Sequence, residues 1–303
     1  MLGAQNGQLA SWGDRRVWAI VQTDCGQAVV DYWFEFEPDY SGIDTDSTEV
    51  VMPIGDSYST AAANPPYYDE LRGGLCRRSP AAWPHFLFQG SQEQPLIESS
   101  AACAGAKIQA LYGSFQGEPP QLESVRAANP TIVTVTIGGN DAGFSAVLRT
   151  CLLRSCAAAP AGKRFSRLEE AETTIRKLQP RLKRAFLDLK KAAPRAQVYV
   201  VGYPRIFPSS RELAVNCSWL DNNERIGLNG LAAWLDAVER RAAKAAGVNY
   251  VSVLDDLDGH ELCSADSWMF QVNPFCIRDV RCGHPLVKGE VAIAKAVTKA
   301  IIG

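Results

Sequence analysis

A chain of 303 residues with 47% hydrophobic composition can bury a substantial core, as one large domain or two smaller ones. Its 31 basic and 33 acidic residues nearly cancel, which removes the electrostatic footprint of a nucleic-acid or anionic-membrane binder and favours neutral or mixed substrates. No apolar run is long enough to span a bilayer, and the opening MLGAQNGQLASWGDRR lacks the apolar centre of a signal peptide, so the chain reads as a mature or trimmed form.

Residues 1–48 differ in pattern from the rest of the chain. RVWAIVQTD and QAVVDYWFEFE alternate apolar and polar residues around Cys25 and Gly26, which predicts a β-hairpin, and PDYSGIDTDSTE reads as a linker. From residue 49 onward, EVVMPI, TIVTVTI, AQVYVVGY and VNYVSVL are continuous β-branched runs, the pattern of parallel strands covered on both faces. Helical stretches lie between them. RLEEAETTIRKLQPRLKRAFLDLKKAA has apolar residues at helical spacing, with a kink or break expected at Pro180. NNERIGLNGLAAWLDAVERRAAKAAG ends on Gly247, suited to a C-cap, and EVAIAKAVTKAIIG supplies a closing helix. Strand alternating with helix predicts an α/β three-layer domain with a mainly parallel central sheet over residues 49–303, preceded by a β-rich hairpin extension over 1–48.

Nine cysteines without a paired C-x-x-C and histidine arrangement favour disulfides over zinc, and with them an oxidising compartment. The simplest pairing joins neighbours in order: Cys76 with Cys103, Cys151 with Cys156, Cys217 with Cys263, Cys276 with Cys282. Cys25 is left over and is assigned no catalysis.

In open α/β sheets, ligands bind where strands hand over to helices at their carboxyl ends. Gly55 in PIGDSYS allows a tight turn and sets Ser57 at the sheet rim, where a serine either caps the next helix or attacks a substrate. Gly138 and Gly139 in TVTIGGNDAGF permit close backbone approach, and Asn140 offers an amide donor. AACAGAKIQ places Gly105 at the expected start of a helix, with backbone N–H groups pointing outward. A serine nucleophile needs a base. His85 lies among apolar residues and reads as packed or surface, His260 as structural near a disulfide, and His284, in the loop before the last helix, is the base expected. Arg77 and Arg78 read as surface ion-pair formers.

Taken in order, GDSYS, AACAGA, TIGGNDAGF and GHPLVKGEVAIA resemble the four blocks of the SGNH, or GDSL, hydrolase superfamily across residues 49–303. LCRRSPAAWP, VYVVGYPRIFP and DGHELCS further resemble its secreted bacterial esterase and lipase branch. The resemblance implies a flavodoxin-like α/β/α fold and ester hydrolysis through an acyl-enzyme, with no metal or organic cofactor. By position it makes Ser57 the nucleophile and His284 the general base, with an oxyanion hole from the backbone N–H groups of Ser57 and Gly105 and the Asn140 side chain. One departure stands out: the family's usual aspartate three residues before the histidine is Arg281 here. The Arg281 carbonyl is the expected orienter of the imidazole, with Asp279 as the alternative.

The expected partners are small-molecule or lipid esters, with a transient contact at a lipid interface, no nucleic acid and a monomeric secreted protein. Phospholipase A-type or carbohydrate acetylesterase activity would use the same site. A catalytically dead binding module displaying the hairpin is the non-enzymatic alternative, against which the intact Ser57, Asn140 and His284 argue. Acyl and alcohol selectivity is expected from loops such as NPPYYDELRGG and SWMFQVNPF. The G-x-S-x-G elbow, the phosphate loop, the dinucleotide fingerprint and the H-E-x-x-H motif are missing from the chain.

Overall fold

Strand β3, Val50–Gly55, is the continuous apolar run expected, and it lies at the heart of a parallel sheet. The structure, a computed structural model, describes residues 15–23, 26–34, 49–68, 74–88, 96–97, 100–210, 217–272 and 279–303. Within the first two of these stretches, β1 (Arg15–Thr23) and β2 (Gly26–Phe34) pair antiparallel in a separate two-stranded sheet, the hairpin anticipated from the alternation. Cys25, Cys276 and the expected linker up to residue 48 lie outside the described residues.

The main sheet runs β4-β3-β5-β6-β7, where β4 is Leu96–Ile97, β5 Ile132–Thr136, β6 Gln197–Val201 and β7 Asn249–Val251. All its pairings are parallel. Counted from β3, this is the 2-1-3-4-5 order of flavodoxin-like sheets. Side-chain alternation divides the core into two faces. Met52, Ile54, Val198 and Val200 pack with Phe186, Leu189, Leu228 and Leu235, whereas Val51, Tyr199 and Val201 pack with Trp83, Ile293 and Val297. Both faces are therefore covered, which is why the strands carry no polar alternation.

Helix α1 (Ser57–Thr60) follows β3, and α2 (Gln121–Ala128) precedes β5. After β5 come α3 (Gly139–Ala142), α4 (Phe144–Leu153), α5 (Arg167–Arg176) and α6 (Gln179–Ala192). Pro180 does break the helical stretch. It sits in the first turn of α6, where its missing N–H has no helical partner to lose. Helix α7 (Asn222–Ala246) ends on Gly247 in the left-handed conformation, and α8 (Val287–Ile302) closes the chain. Gly105 departs from expectation: it lies in a turn with φ +85°, ahead of a short 3-10 turn at Ile108–Leu111, not at the start of an α-helix.

Three disulfides, Cys76–Cys103, Cys151–Cys156 and Cys217–Cys263, join neighbours in order as expected. Cys282 is also disulfide-bonded, while Cys276, its expected partner, is outside the described residues. Arg78 is not a solvated surface residue. Its guanidinium is largely buried, pairs with Glu118 at 3.1 Å and donates to the Ala102 carbonyl at 2.8 Å, tying down the turn that carries Gly105. His260 has the structural role expected, stacked on Trp268 at 3.6 Å with Nδ1 2.8 Å from the Asp266 carbonyl.

Candidate active site

Three loops at the carboxyl end of the sheet come together here. The first leaves β3 through Gly55, whose φ of +115° suits glycine and where an added Cβ would lie 2.0 Å from the Thr136 carbonyl oxygen, so no larger residue fits. Gln121 secures this turn in both directions: its Oε1 accepts from Gly55 N–H at 2.8 Å and its Nε2 donates to Gly55 O at 2.9 Å. The next residue, Asp56, is the N-cap of α1, its Oδ1 accepting from Tyr58 N–H at 3.1 Å. Ser57 is thereby relieved of capping. Its Oγ lies 2.7 Å from Nε2 of His284, a residue brought from 227 positions further along the chain.

Burial pushes the His284 imidazole down to about 4, opposed by the carbonyls of Cys282, Arg281 and Val280. None of these carbonyls meets hydrogen-bond geometry with Nδ1, which is buried without a partner. Asp279 is committed elsewhere. Both its oxygens accept from the Arg281 guanidinium, at 2.6–3.0 Å, which holds its carboxyl below the ordinary carboxylate range. The groups beside Nδ1 are thus backbone carbonyls, but the expected orienting hydrogen bond to the Arg281 carbonyl is not formed, and Asp279, the alternative, is taken up by Arg281.

The third loop follows β5. Gly138, at φ +129°, leaves room for the buried Glu239 carboxyl, 3.1 Å from where a Cβ would stand. Asn140 projects from α3 and donates one amide hydrogen through Nδ2 to the Ala106 carbonyl at 3.0 Å, which orients the amide and leaves its second hydrogen for another acceptor. Asn140, Ser57 and His284 all line one cleft. Gly105 does not line it; it stands one residue before the carbonyl that Asn140 grips, in a turn anchored by Cys103 N–H to Gly55 O at 3.0 Å.

Tyr203 carries no signal in the sequence that marks it for the site. Its hydroxyl donates to Asp56 Oδ2 at 2.6 Å and accepts from Gly139 N–H at 3.1 Å, joining the loop after β3 to the loop after β5. Burial raises Asp56 to about 6 and pushes Glu239 well above the carboxylate range, so the interior behind the site favours the neutral form of both carboxyls. The cleft is open to solvent, and its free space of about 610 Å³ includes the solvent at its mouth. Its far wall is apolar: Phe144 and Leu148 from α4, Pro204 and Ile206 after β6, Ala232 and Leu235 from α7. The two loops expected to supply selectivity contribute none of the described lining residues.

Known proteins resemble this chain in sequence and in fold. The model of the GDSL-like lipase/acylhydrolase family matches residues 54–289, from the end of β3 to the start of α8. The chain belongs to this family. Lipase 1 of Streptomyces coelicolor is 30% identical over 240 residues, covering 79% of this chain and 81% of that protein. A Streptomyces rimosus lipase is 31% identical over the same shares of the two chains. Among solved structures, the extracellular lipase of Streptomyces rimosus superposes with a TM-score of 0.70 at 28% identity, over 84% of this chain and 100% of that one. Phospholipase A1 from Streptomyces albidoflavus superposes with a TM-score of 0.68 at 29% identity, over 84% and 99%. This member of the GDSL-like family is accordingly a carboxylic ester hydrolase with a flavodoxin-like core.

Proposed function

We propose that the enzyme cleaves acyl esters through an acyl-enzyme on Ser57, with His284 as general base. The observation that carries this reading is the 2.7 Å contact between Ser57 Oγ and His284 Nε2 inside a cleft. As Oγ attacks the ester carbonyl, its proton passes to Nε2, and the carbonyl oxygen becomes an oxyanion. The Asn140 amide and the Ser57 backbone N–H, both at the cleft, stabilise that charge, and the Gly105 N–H, in the turn beside the cleft whose Ala106 carbonyl holds Asn140, is the third donor of this reading. Collapse breaks the bond to the alcohol, which leaves with the proton held on His284. Water, deprotonated by His284, then attacks the acyl-enzyme and releases the acid and Ser57. Every step uses groups of this chain, so the reaction calls for no metal or organic cofactor.

The apolar wall supports an acyl chain as the moiety held beside Ser57, in preference to an acetyl group on a sugar. A glycerophospholipid is the first lipid to try, because a similar protein is a phospholipase A1. Residues 49–303 would form the catalytic unit and 1–48 an extension, in a monomeric protein that meets lipid interfaces transiently and binds no nucleic acid. Extracellular localisation is supported by the disulfides, by the extracellular S. rimosus lipase, and by the lack, among the described residues, of any helix able to cross a membrane.

A series of p-nitrophenyl acyl esters, run beside phospholipids of matched chains, tests the substrate class. Each methylene taken into the cleft should be worth about 0.8 kcal/mol, raising kcat/KM about threefold to fourfold until the wall is covered. Best activity on acetate esters, with a decline as the chain lengthens, would transfer the assignment to the carbohydrate acetylesterase reading.

A further inference from the structure

The imidazole of His284 has no carboxylate behind it. Nδ1 has the backbone carbonyls of Val280, Arg281 and Cys282 near it but reaches hydrogen-bond geometry with none, and Asp279 is occupied by Arg281, so the ring's direction depends on how this stretch of backbone is held. Three consecutive carbonyls around it are gripped. Tyr58 Oη donates to Gly283 O at 2.8 Å, Phe270 N–H donates to His284 O at 2.8 Å, and Asn64 Nδ2 donates to Pro285 O at 2.9 Å. Two of these three donors come from the segment that carries Ser57: Tyr58 is the next residue, and Asn64 lies in the turn just after α1. Asn64 is itself buried and fixed, its carbonyl accepting from Ser79 Oγ and its N–H donating to Ala61 O. The Tyr58 ring packs 5.0 Å, centroid to centroid, from the His284 ring, limiting the imidazole's rotation about its side-chain bonds.

We propose that Tyr58 and Asn64 are positioning residues for the general base: they strap the backbone on both sides of His284 to the segment bearing the nucleophile, in the role an orienting carboxylate plays in a triad. With base and nucleophile anchored to one piece of chain, their separation is insulated from movement elsewhere in the loops. Loss of either strap lets the imidazole swing from its productive alignment, and proton transfer from Ser57 slows although the substrate is held as before. This inference rests on the reading of Ser57 and His284 as nucleophile and base.

The test is the rate constant for inactivation by a fluorophosphonate, which reports the nucleophilicity of Ser57, measured with kcat, KM and Tm in the parent, Tyr58→Phe and Asn64→Leu. Tyr58→Phe keeps the ring and removes only the donor. Both variants should be inactivated and turn over about fivefold or more slowly, with KM unchanged and the protein still folded. Inactivation of either folded variant at less than that deficit overturns the proposal, as does a rise in KM at unaltered kcat. Should Asn64→Leu fail to fold, Tyr58→Phe decides alone. A parent not labelled at Ser57 would remove the underlying reading, whereas a labelled parent with equally fast variants would remove the straps alone.

Discussion

Asp56 takes the capping duty that serine commonly performs at the start of a helix, and this leaves the Ser57 hydroxyl to His284. The neighbouring amide is similarly prepared, since the Ala106 carbonyl fixes Asn140 before any substrate arrives. Asn140→Ala should lower kcat by about a hundredfold or more with a small change in KM, because an oxyanion donor acts mainly in the transition state; an unchanged kcat would take Asn140 out of the site. The base must be neutral to accept the serine proton. Its burial lowers the pKa from 6.5 to about 4, so the acid limb of kcat/KM should fall between those values instead of at the unperturbed position. A limb centred above 6.5 would contradict a buried, desolvated imidazole. Ser57, Asn140 and His284 are legible in the sequence because each sits in a short block with a glycine beside it or close by. Tyr58, Asn64, Gln121 and Tyr203 are not, because what they grip is backbone or a side chain far along the chain, which leaves no local pattern.

Among the elements, the turn at 103–106 links stability to activity. It is closed by the Cys76–Cys103 disulfide, with Ala104 N–H donating to Cys76 O at 2.9 Å, and its Ala106 carbonyl receives Asn140. The bridge spans a sequence separation of 27. Replacing both cysteines by alanine should cost about 3 to 4 kcal/mol of stability through the larger entropy of the unfolded chain. The same change should depress kcat more than KM at temperatures where the variant is folded, since it loosens the support of Asn140. Thermal unfolding paired with steady-state kinetics checks both; loss of stability at parental kcat would separate the turn from catalysis. The sequence shows the pairing but places Gly105 on a helix. What decides the local structure there is the anchoring of Cys103 to Gly55 and of Arg78 to Ala102, contacts between segments that hydrophobic periodicity does not register.

For the whole molecule, the 2-1-3-4-5 strand order puts the cleft at the place where the chain's path reverses across the sheet, between β3, which leads to Ser57, and β5, which leads to Asn140. Neighbouring strands with helices on both faces force their outgoing loops together, and α8 is preceded by the loop that delivers His284. That architecture is legible because buried parallel strands carry unbroken apolar runs. The walls of the cleft are not, since Leu148 on α4 and Leu235 on α7 look from the sequence like any other core-facing helix positions, and only the packing of these helices turns them toward Ser57. Everything proposed for catalysis depends on the hydroxyl at 57 being activated by the imidazole at 284. The most direct measurement is fluorophosphonate labelling followed by peptide mapping, on the parent and on Ser57→Ala and His284→Ala. A single adduct on the peptide containing Ser57, absent from Ser57→Ala and formed far more slowly in His284→Ala, is the predicted result; an adduct at another residue, or undiminished labelling of His284→Ala, would contradict it.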